Sequence, residues 1–117
     1  MKEVLRSLSG QPGILGSLVA TTDGMVVASC LGGGLNEDAA AALVSSLLMA
    51  TSRLLNGWGG PRMERLILRA TRGKIVVTDL ENAYLVVVTD GYLDLNQGLL
   101  EIQSAAQQLK RLGRIPA

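Results

Sequence analysis

Four aspartates are the side chains whose type would best suit acid–base chemistry. Asp23 stands beside Gly24 in a predicted turn, whereas Asp79, Asp90 and Asp94 fall at predicted strand ends or at the entry to the last helix. Carboxylates are common at such places because they hydrogen-bond nearby backbone N–H groups. We therefore interpret the four as turn and cap residues and expect no catalytic pair among them.

The remaining chemistry of catalysis is largely missing from the chain. It has no histidine and one cysteine, Cys30, which excludes Ser-His-Asp and Cys-His mechanisms, His-ligated metal sites and a four-cysteine zinc site. The glycines 32–34 resemble part of a phosphate-binding loop, but Leu35-Asn-Glu37 follows them where Gly-Lys-Ser/Thr is required. We expect no enzymatic activity, no metal and no cofactor, and we interpret Cys30 as a small buried hydrophobe.

Basic residues cluster between positions 62 and 74. They are Arg62, Arg65, Arg69, Arg72 and Lys74. Such a cluster is typical of a solvated strand face, and it could also dock an acidic partner. The whole chain carries 11 basic and 10 acidic residues, a net charge of +1, so we expect no nucleic-acid partner.

Length and composition predict one domain spanning residues 1–117. Hydrophobic residues make up 48% of the chain, enough for an aliphatic core without phenylalanine. The first residues lack the apolar run of an export signal, and we find no apolar stretch near the roughly 20 residues that span a bilayer. A lone cysteine fits a reducing compartment. We expect a cytoplasmic protein without direct membrane insertion.

A β-hairpin over residues 14–30 is the clearest local prediction. Asp23-Gly24 separates two runs rich in Val, Leu and Ile, which predicts a type I′ turn. A two-turn helix over 2–9 precedes it, and a glycine-rich loop follows it.

The helix predicted over residues 37–56 begins at Asn36, a plausible N-cap. At 100° per residue its apolar side chains cover roughly 200°, about twice the stripe that a surface helix needs. We therefore expect one side to pack on the sheet and the other on a second copy of the chain.

Three strands are predicted over 64–71, 74–80 and 83–90, with turns at Arg72-Gly73 and Glu81-Asn82, and a final helix over 94–112. The order is α-β-β-α-β-β-β-α. Because hairpins dominate, we predict an α+β fold with helices packed on one five-stranded antiparallel sheet.

Two stretches of this sequence resemble the roadblock/dynein light chain family, whose fold is longin-like. The first is Gly16-Ser-Leu-Val-Ala-Thr-Thr-Asp-Gly-Met-Val-Val-Ala-Ser29. The second comprises Gly73-Lys-Ile-Val-Val-Thr-Asp-Leu80, Tyr84-Leu-Val-Val-Val88 and Leu95-Asn-Gln-Gly98. The likeness spans the whole chain and is closest to compact prokaryotic-type members such as bacterial gliding-motility GTPase regulators.

The resemblance implies a sheet of order 2-1-5-4-3 sandwiched by helices. It also implies a homodimer, or a heterodimer with a relative, in which the second helices pack together and the third strands pair. The residues expected at that interface are Ala41, Val44, Leu48, Thr51, Leu55, Arg65, Ile67 and Arg69.

The resemblance further implies a scaffold that binds a small Ras-like GTPase and modulates its GTP hydrolysis without supplying catalytic groups. Candidate partner contacts are Arg53, Trp58 and Arg62. An arginine finger could come from Arg53, Arg62 or Arg65. Trp58 could equally tuck into a local apolar niche. The alternatives are a small-molecule sensor, which would require a cavity, and an adaptor domain in a signalling or motor complex.

Overall fold

The computed structural model describes residues 1–60 and 63–113 of the chain. Its elements are α1 (Lys2–Ser9), β1 (Ile14–Ala20), β2 (Val26–Leu31), α2 (Glu37–Asn56), β3 (Arg65–Ala70), β4 (Gly73–Asp79), β5 (Tyr84–Asp90) and α3 (Leu95–Gly113). All neighbouring strands run antiparallel in the order β2-β1-β5-β4-β3. The predicted element order, the antiparallel sheet and its strand order are confirmed.

The sheet separates two apolar clusters because successive side chains of a strand point to opposite faces. On β5, Leu85 and Val87 pack with α1 and α3, whereas Tyr84 and Val86 pack with α2. Every one of these positions is buried, so β5 is the central strand that its continuous apolar run indicated. The helices thus form the outer layers of a three-layer sandwich.

The first hairpin turns differently from the prediction. Gly24 has φ +88°, but Asp23 is not among the residues with positive φ, so the turn is not type I′. Thr21 N–H donates to the Met25 carbonyl (2.9 Å), leaving three residues between the paired ends. A glycine with positive φ at the third position is typical of three-residue hairpin loops. The side chain of Thr21 favours this longer loop, since its Oγ1 accepts from Met25 N–H at 3.1 Å.

The other boundaries follow local chemistry. Asn36 caps α2 as predicted, accepting the Ala39 N–H at 2.9 Å. The turn between β3 and β4 consists of Thr71 and Arg72 rather than Arg72-Gly73, because Gly73 already pairs with Ala70 as the first residue of β4.

The expectation that no apolar stretch approaches bilayer-spanning length is wrong. The 20-residue helix α2 is long and apolar enough, by length and composition, to cross a bilayer. These two criteria alone are weak evidence, since helices that pack in a protein core meet them as well, and α2 packs on the sheet through Ala41, Val44 and Leu48.

Candidate protein-interaction surface

Three residues expected at a helix–helix seam belong instead to the core of the chain itself. Ala41, Val44 and Leu48 are 0%, 1% and 8% exposed and pack with sheet residues such as Leu18 and Val86. Side chains already covered by their own sheet have no surface left for a second copy. Their assignment to the seam is therefore corrected.

The side of α2 that remains uncovered lies about 120° around the helix from those residues, at 3.6 residues per turn. It carries a stripe of Leu43, Leu47, Ala50 and Leu54, which we call the α2 stripe. Leu43 is 44% and Leu54 68% exposed. The α2 stripe lies within the 200° apolar arc that the sequence predicts for this helix. The width of that arc indicated an exposed apolar side, but hydrophobicity alone did not show which half of the arc faces the sheet.

Thr51 and Leu55 are both half-buried: Thr51 lies between the two sides of α2, and Leu55 lies on the side of Val44 and Leu48. Thr51 Oγ1 donates to the Leu47 carbonyl at 2.7 Å, a bond within the helix. Neither residue belongs to the α2 stripe.

The edges of the sheet differ in how much backbone they leave open. In β2 the pairing skips Val27, and two carbonyls accept side-chain donors from α1: Ser29 O from Lys2 Nζ (2.6 Å) and Cys30 O from Ser9 Oγ (3.0 Å). Bulges and covering side chains are common protections of an edge strand. β3 pairs regularly with β4 along its whole length, and its other edge is open among the described residues.

The three interface candidates on β3 share one face of the sheet, the side of α1 and α3. Ile67 pairs with Val76 of the α1/α3 cluster and is 37% exposed, and Arg69 is exposed. Arg65 is half-buried, and its Nε is enclosed without a hydrogen-bond partner. The opposite face of β3 carries Leu66, which packs on the α2 side.

The candidate partner contacts sit near the end of α2. Arg53 is exposed in its last turn, and Trp58 in the following loop is 76% exposed, so it does not fill a local niche. Arg62 lies outside the described residues. Met49, exposed on the same side of α2 as Arg53, was not singled out from the sequence.

Two depressions accompany these surfaces. An apolar hollow of about 350 Å³ lies between α2 and the sheet, lined by Leu43, Ile75 and Val88 among others. A polar groove of about 640 Å³ runs between α3 and the β3–β4 pair, and Arg65 and Thr78 line it. Both are open to solvent; the groove borders β3, whereas the hollow is lined by residues of α2, β2, β4 and β5.

The aspartates have the local roles that the sequence indicated. Asp79 Oδ1 accepts the Glu81 N–H (2.8 Å), and Asp90 Oδ1 accepts from Tyr92 (2.9 Å) and Leu93 (3.0 Å). Asp94 Oδ1 accepts the Asn96 N–H (2.9 Å) at the start of α3. Within residues 1–60 and 63–113, no group of three or more Cys, Asp or Glu side chains could hold a metal ion.

Cys30 is half-buried rather than fully buried and packs against the α1/α3 cluster. The site that the structure offers is thus an apolar helix stripe beside an open strand edge, a surface suited to contact with another protein.

Comparisons with known proteins agree with the fold. An uncharacterized protein of Methanocaldococcus jannaschii is 30% identical over 109 residues, covering 93% of this chain and 96% of that protein. A gliding protein MglB from Thermus thermophilus superimposes with a TM-score of 0.82 at 26% identity, and an MglB structure in a tetrameric arrangement does so with 0.82 at 28%. Both superpositions cover 93% of this chain and 84% of the other.

The family model of the Roadblock/LC7 domain matches residues 1–89, from α1 through most of β5. That match includes the hairpin, α2 and the open strand β3. The chain belongs to the Roadblock/LC7 domain family.

Proposed function

We propose that this chain is a non-enzymatic, cytoplasmic scaffold that forms a homodimer, binds a small Ras-like GTPase and modulates its GTP hydrolysis. A regulator or adaptor role follows from membership of the Roadblock/LC7 family and from the likeness to MglB. The observation that carries the finer proposal is the α2 stripe beside the open edge of β3. Each of these alone is a common surface feature, but together they provide an apolar contact and a backbone pairing site on one side.

The homodimer uses both features at once. A two-fold axis beside β3 pairs the two β3 strands into one continuous sheet and brings the two α2 stripes together above it. Leu43 and Leu54 would then lose most of their exposed area, which is the principal gain on association. The apolar hollow at Leu43 would be covered by the second copy as well.

The GTPase surface lies outside that contact. Met49 and Arg53 face away from both the sheet and the α2 stripe, and Trp58 projects from the loop beyond them. An exposed tryptophan with a neighbouring arginine is typical of binding hot spots. In a dimer these groups occur twice on the helix layer, so they would form a platform on which a GTPase rests.

Modulation of GTP hydrolysis would act through the shape of the bound GTPase. The absence of histidine removes the commonest general base from the chain. Arg53 is the one described arginine of the platform, and it would be the residue to reach the phosphates if the scaffold supplied a charge.

Light scattering across a concentration series tests the homodimer. The wild-type chain should have a mass of about 25 kDa, twice its 12.3 kDa. Leu54→Glu should yield a folded monomer, because a charge in the α2 stripe would be desolvated on association. Met25→Glu is the matched control: that methionine is 65% exposed in the loop between β1 and β2, at the other edge of the sheet from β3, and its replacement should leave the dimer intact.

The same measurement with Ras-like GTPases from the same organism, loaded with GDP or a non-hydrolysable GTP analogue, tests the partner. A mass increase in one nucleotide state would support the scaffold. Failure of each of these GTPases to bind the wild-type dimer would contradict the partner, and a wild-type monomer would contradict the homodimer. In the second case the apolar hollow would remain open, which favours the small-molecule sensor.

A further inference from the structure

We propose that the two β3 strands of the dimer pair in a register centred on Leu68, with Leu68 facing its own twin across the two-fold axis. This inference rests on the proposed homodimer and adds the alignment of its strands. It follows from the faces and charges along β3 and its turn.

A two-fold axis perpendicular to the sheet restricts the register. Rotation about such an axis places the α2 face of the second copy on the same side of the joined sheet as the α2 face of the first. Residues directly opposite each other on antiparallel strands must also lie on the same face. Leu66 and Leu68 lie on the α2 face, opposite Val77 and Ile75 of the α2 cluster, whereas Ile67 lies opposite Val76 on the other face. The register must therefore be centred on one residue, which faces its own twin across the axis, and the interior of β3 offers Leu66, Ile67, Leu68 or Arg69. A register centred on Arg69 is excluded because the two Arg69 side chains would stand directly opposite each other.

A register centred on Ile67 opposes like charges. Arg65 of each copy would stand directly opposite Arg69 of the other, which places four guanidinium groups on one face of the joined sheet. Like charges directly opposite one another destabilise a strand pair. A register centred on Leu66 sets Leu68 opposite Glu64 and leaves Arg69 and Ala70 opposite residues that precede the ladder, so the end of β3 would lack a strand partner.

A register centred on Leu68 avoids both problems. Leu66 then faces Ala70 of the second copy on the α2 face, beneath the joined α2 stripes. Ile67 faces Arg69, whose aliphatic stem can cover it. These contacts keep the strand residues 66–70 paired and separate the arginines.

The ends of the strand supply charge complementarity in this register. Glu64, whose carbonyl accepts the Asp79 N–H at 2.9 Å and so continues the ladder, comes to lie beside Arg72 of the second copy. Both side chains are exposed in the single chain. By symmetry the dimer contains this opposite-charge pair twice.

The same register gives Arg65 a neighbour. With Leu68 at the axis, Arg65 faces the uncharged Thr71 of the second copy instead of Arg69, so no like charges stand directly opposite each other.

Charge reversal tests the register. Glu64→Arg and Arg72→Glu should each raise the dimer dissociation constant by about 3- to 10-fold, as expected for two cross-strand charge pairs. The double variant should restore the wild-type value, because the pairs re-form with reversed sign. Arg69→Glu is the discriminating control: it would tighten a dimer centred on Ile67 and should not tighten one centred on Leu68.

Cysteine cross-linking provides an independent readout. In a Cys30→Ser background, Leu68→Cys should form a disulfide-linked dimer under mild oxidation much faster than Ile67→Cys, since only residues at the axis face their twins. If the charge reversals leave the dimer dissociation constant unchanged, or if Ile67→Cys forms the disulfide faster than Leu68→Cys, the proposed register is wrong, although the homodimer itself is still supported. A wild-type monomer overturns the homodimer and the register with it.

Discussion

The hydroxyl oxygens of Ser9 and Ser17 lie 2.7 Å apart where the end of α1 meets β1. Ser17 Oγ is also 3.2 Å from the Leu5 carbonyl, and Ser9 Oγ donates to the Cys30 carbonyl at 3.0 Å. With one proton on each hydroxyl, two of these three contacts can be hydrogen bonds at any moment. The cluster joins α1 to both strands of the first hairpin inside an otherwise apolar layer.

Ser17→Ala should lower the free energy of unfolding by about 1–2 kcal/mol. Ser17 is completely buried, so its removal leaves the Leu5 carbonyl without its side-chain partner in a place that water does not reach. Urea denaturation followed by circular dichroism measures the change. Ser52→Ala, on the exposed side of α2, is the control and should cost no stability; an equal loss in both variants would contradict the role of the cluster.

The element order and the sheet could be predicted because each element has its own local signal. The stripe of α3 and the alternation in β3 indicate their elements directly, and hairpin spacing implies antiparallel neighbours. The turn at Gly24 was mispredicted because Asp-Gly fits both two-residue and three-residue loops. The side chain of Thr21 favours the three-residue loop by accepting the Met25 N–H, a contact that forms only in the folded chain.

The interaction surface could be predicted only as a property of α2 as a whole. A helical wheel gives the width of an apolar arc, but which side of the helix faces the sheet is decided by tertiary packing. Val44 and Leu43 are neighbours with similar hydrophobicity, yet one is 1% and the other 44% exposed. The resemblance to the family pointed to α2 as the interface helix, but Ala41, Val44 and Leu48 lie on the side of that helix that packs on the sheet.

Leu48→Glu should abolish folding rather than only dissociate a dimer. Leu48 is 8% exposed against the sheet, so the new carboxylate would be buried without a partner at a cost of several kcal/mol. Leu54→Glu, six residues along the same helix, should keep the native circular dichroism and thermal transition. If both variants unfolded alike, or if Leu48→Glu remained a folded dimer, the division of α2 into a core side and an exposed stripe would be incorrect.

Gly73→Ala should destabilise the fold by about 1–3 kcal/mol. A Cβ at position 73 would lie 2.3 Å from the carbonyl oxygen of Thr89 on β5, and backbone at that distance must shift. Because Gly73 begins β4 beside the β3 turn, the shift would also disturb the strand proposed to pair. Gly33→Ala meets no atom within 4 Å and should change stability by less than about 0.5 kcal/mol. Thermal denaturation of both variants would show the contrast, and equal melting temperatures would refute it.

Trp58 should report directly on the binding of a GTPase. It is the only tryptophan of the chain and is 76% exposed, so its fluorescence should shift to shorter wavelength when a partner covers it. Trp58→Ala should weaken binding at least about tenfold, as the loss of an aromatic anchor does at other interfaces. Tyr92→Ala is the matched control, because Tyr92 is 96% exposed in the loop between β5 and α3, away from the end of α2. If the tyrosine variant lost affinity and the tryptophan variant kept it, the platform would lie at the other end of the molecule, and Met49 and Arg53 would have no part in it.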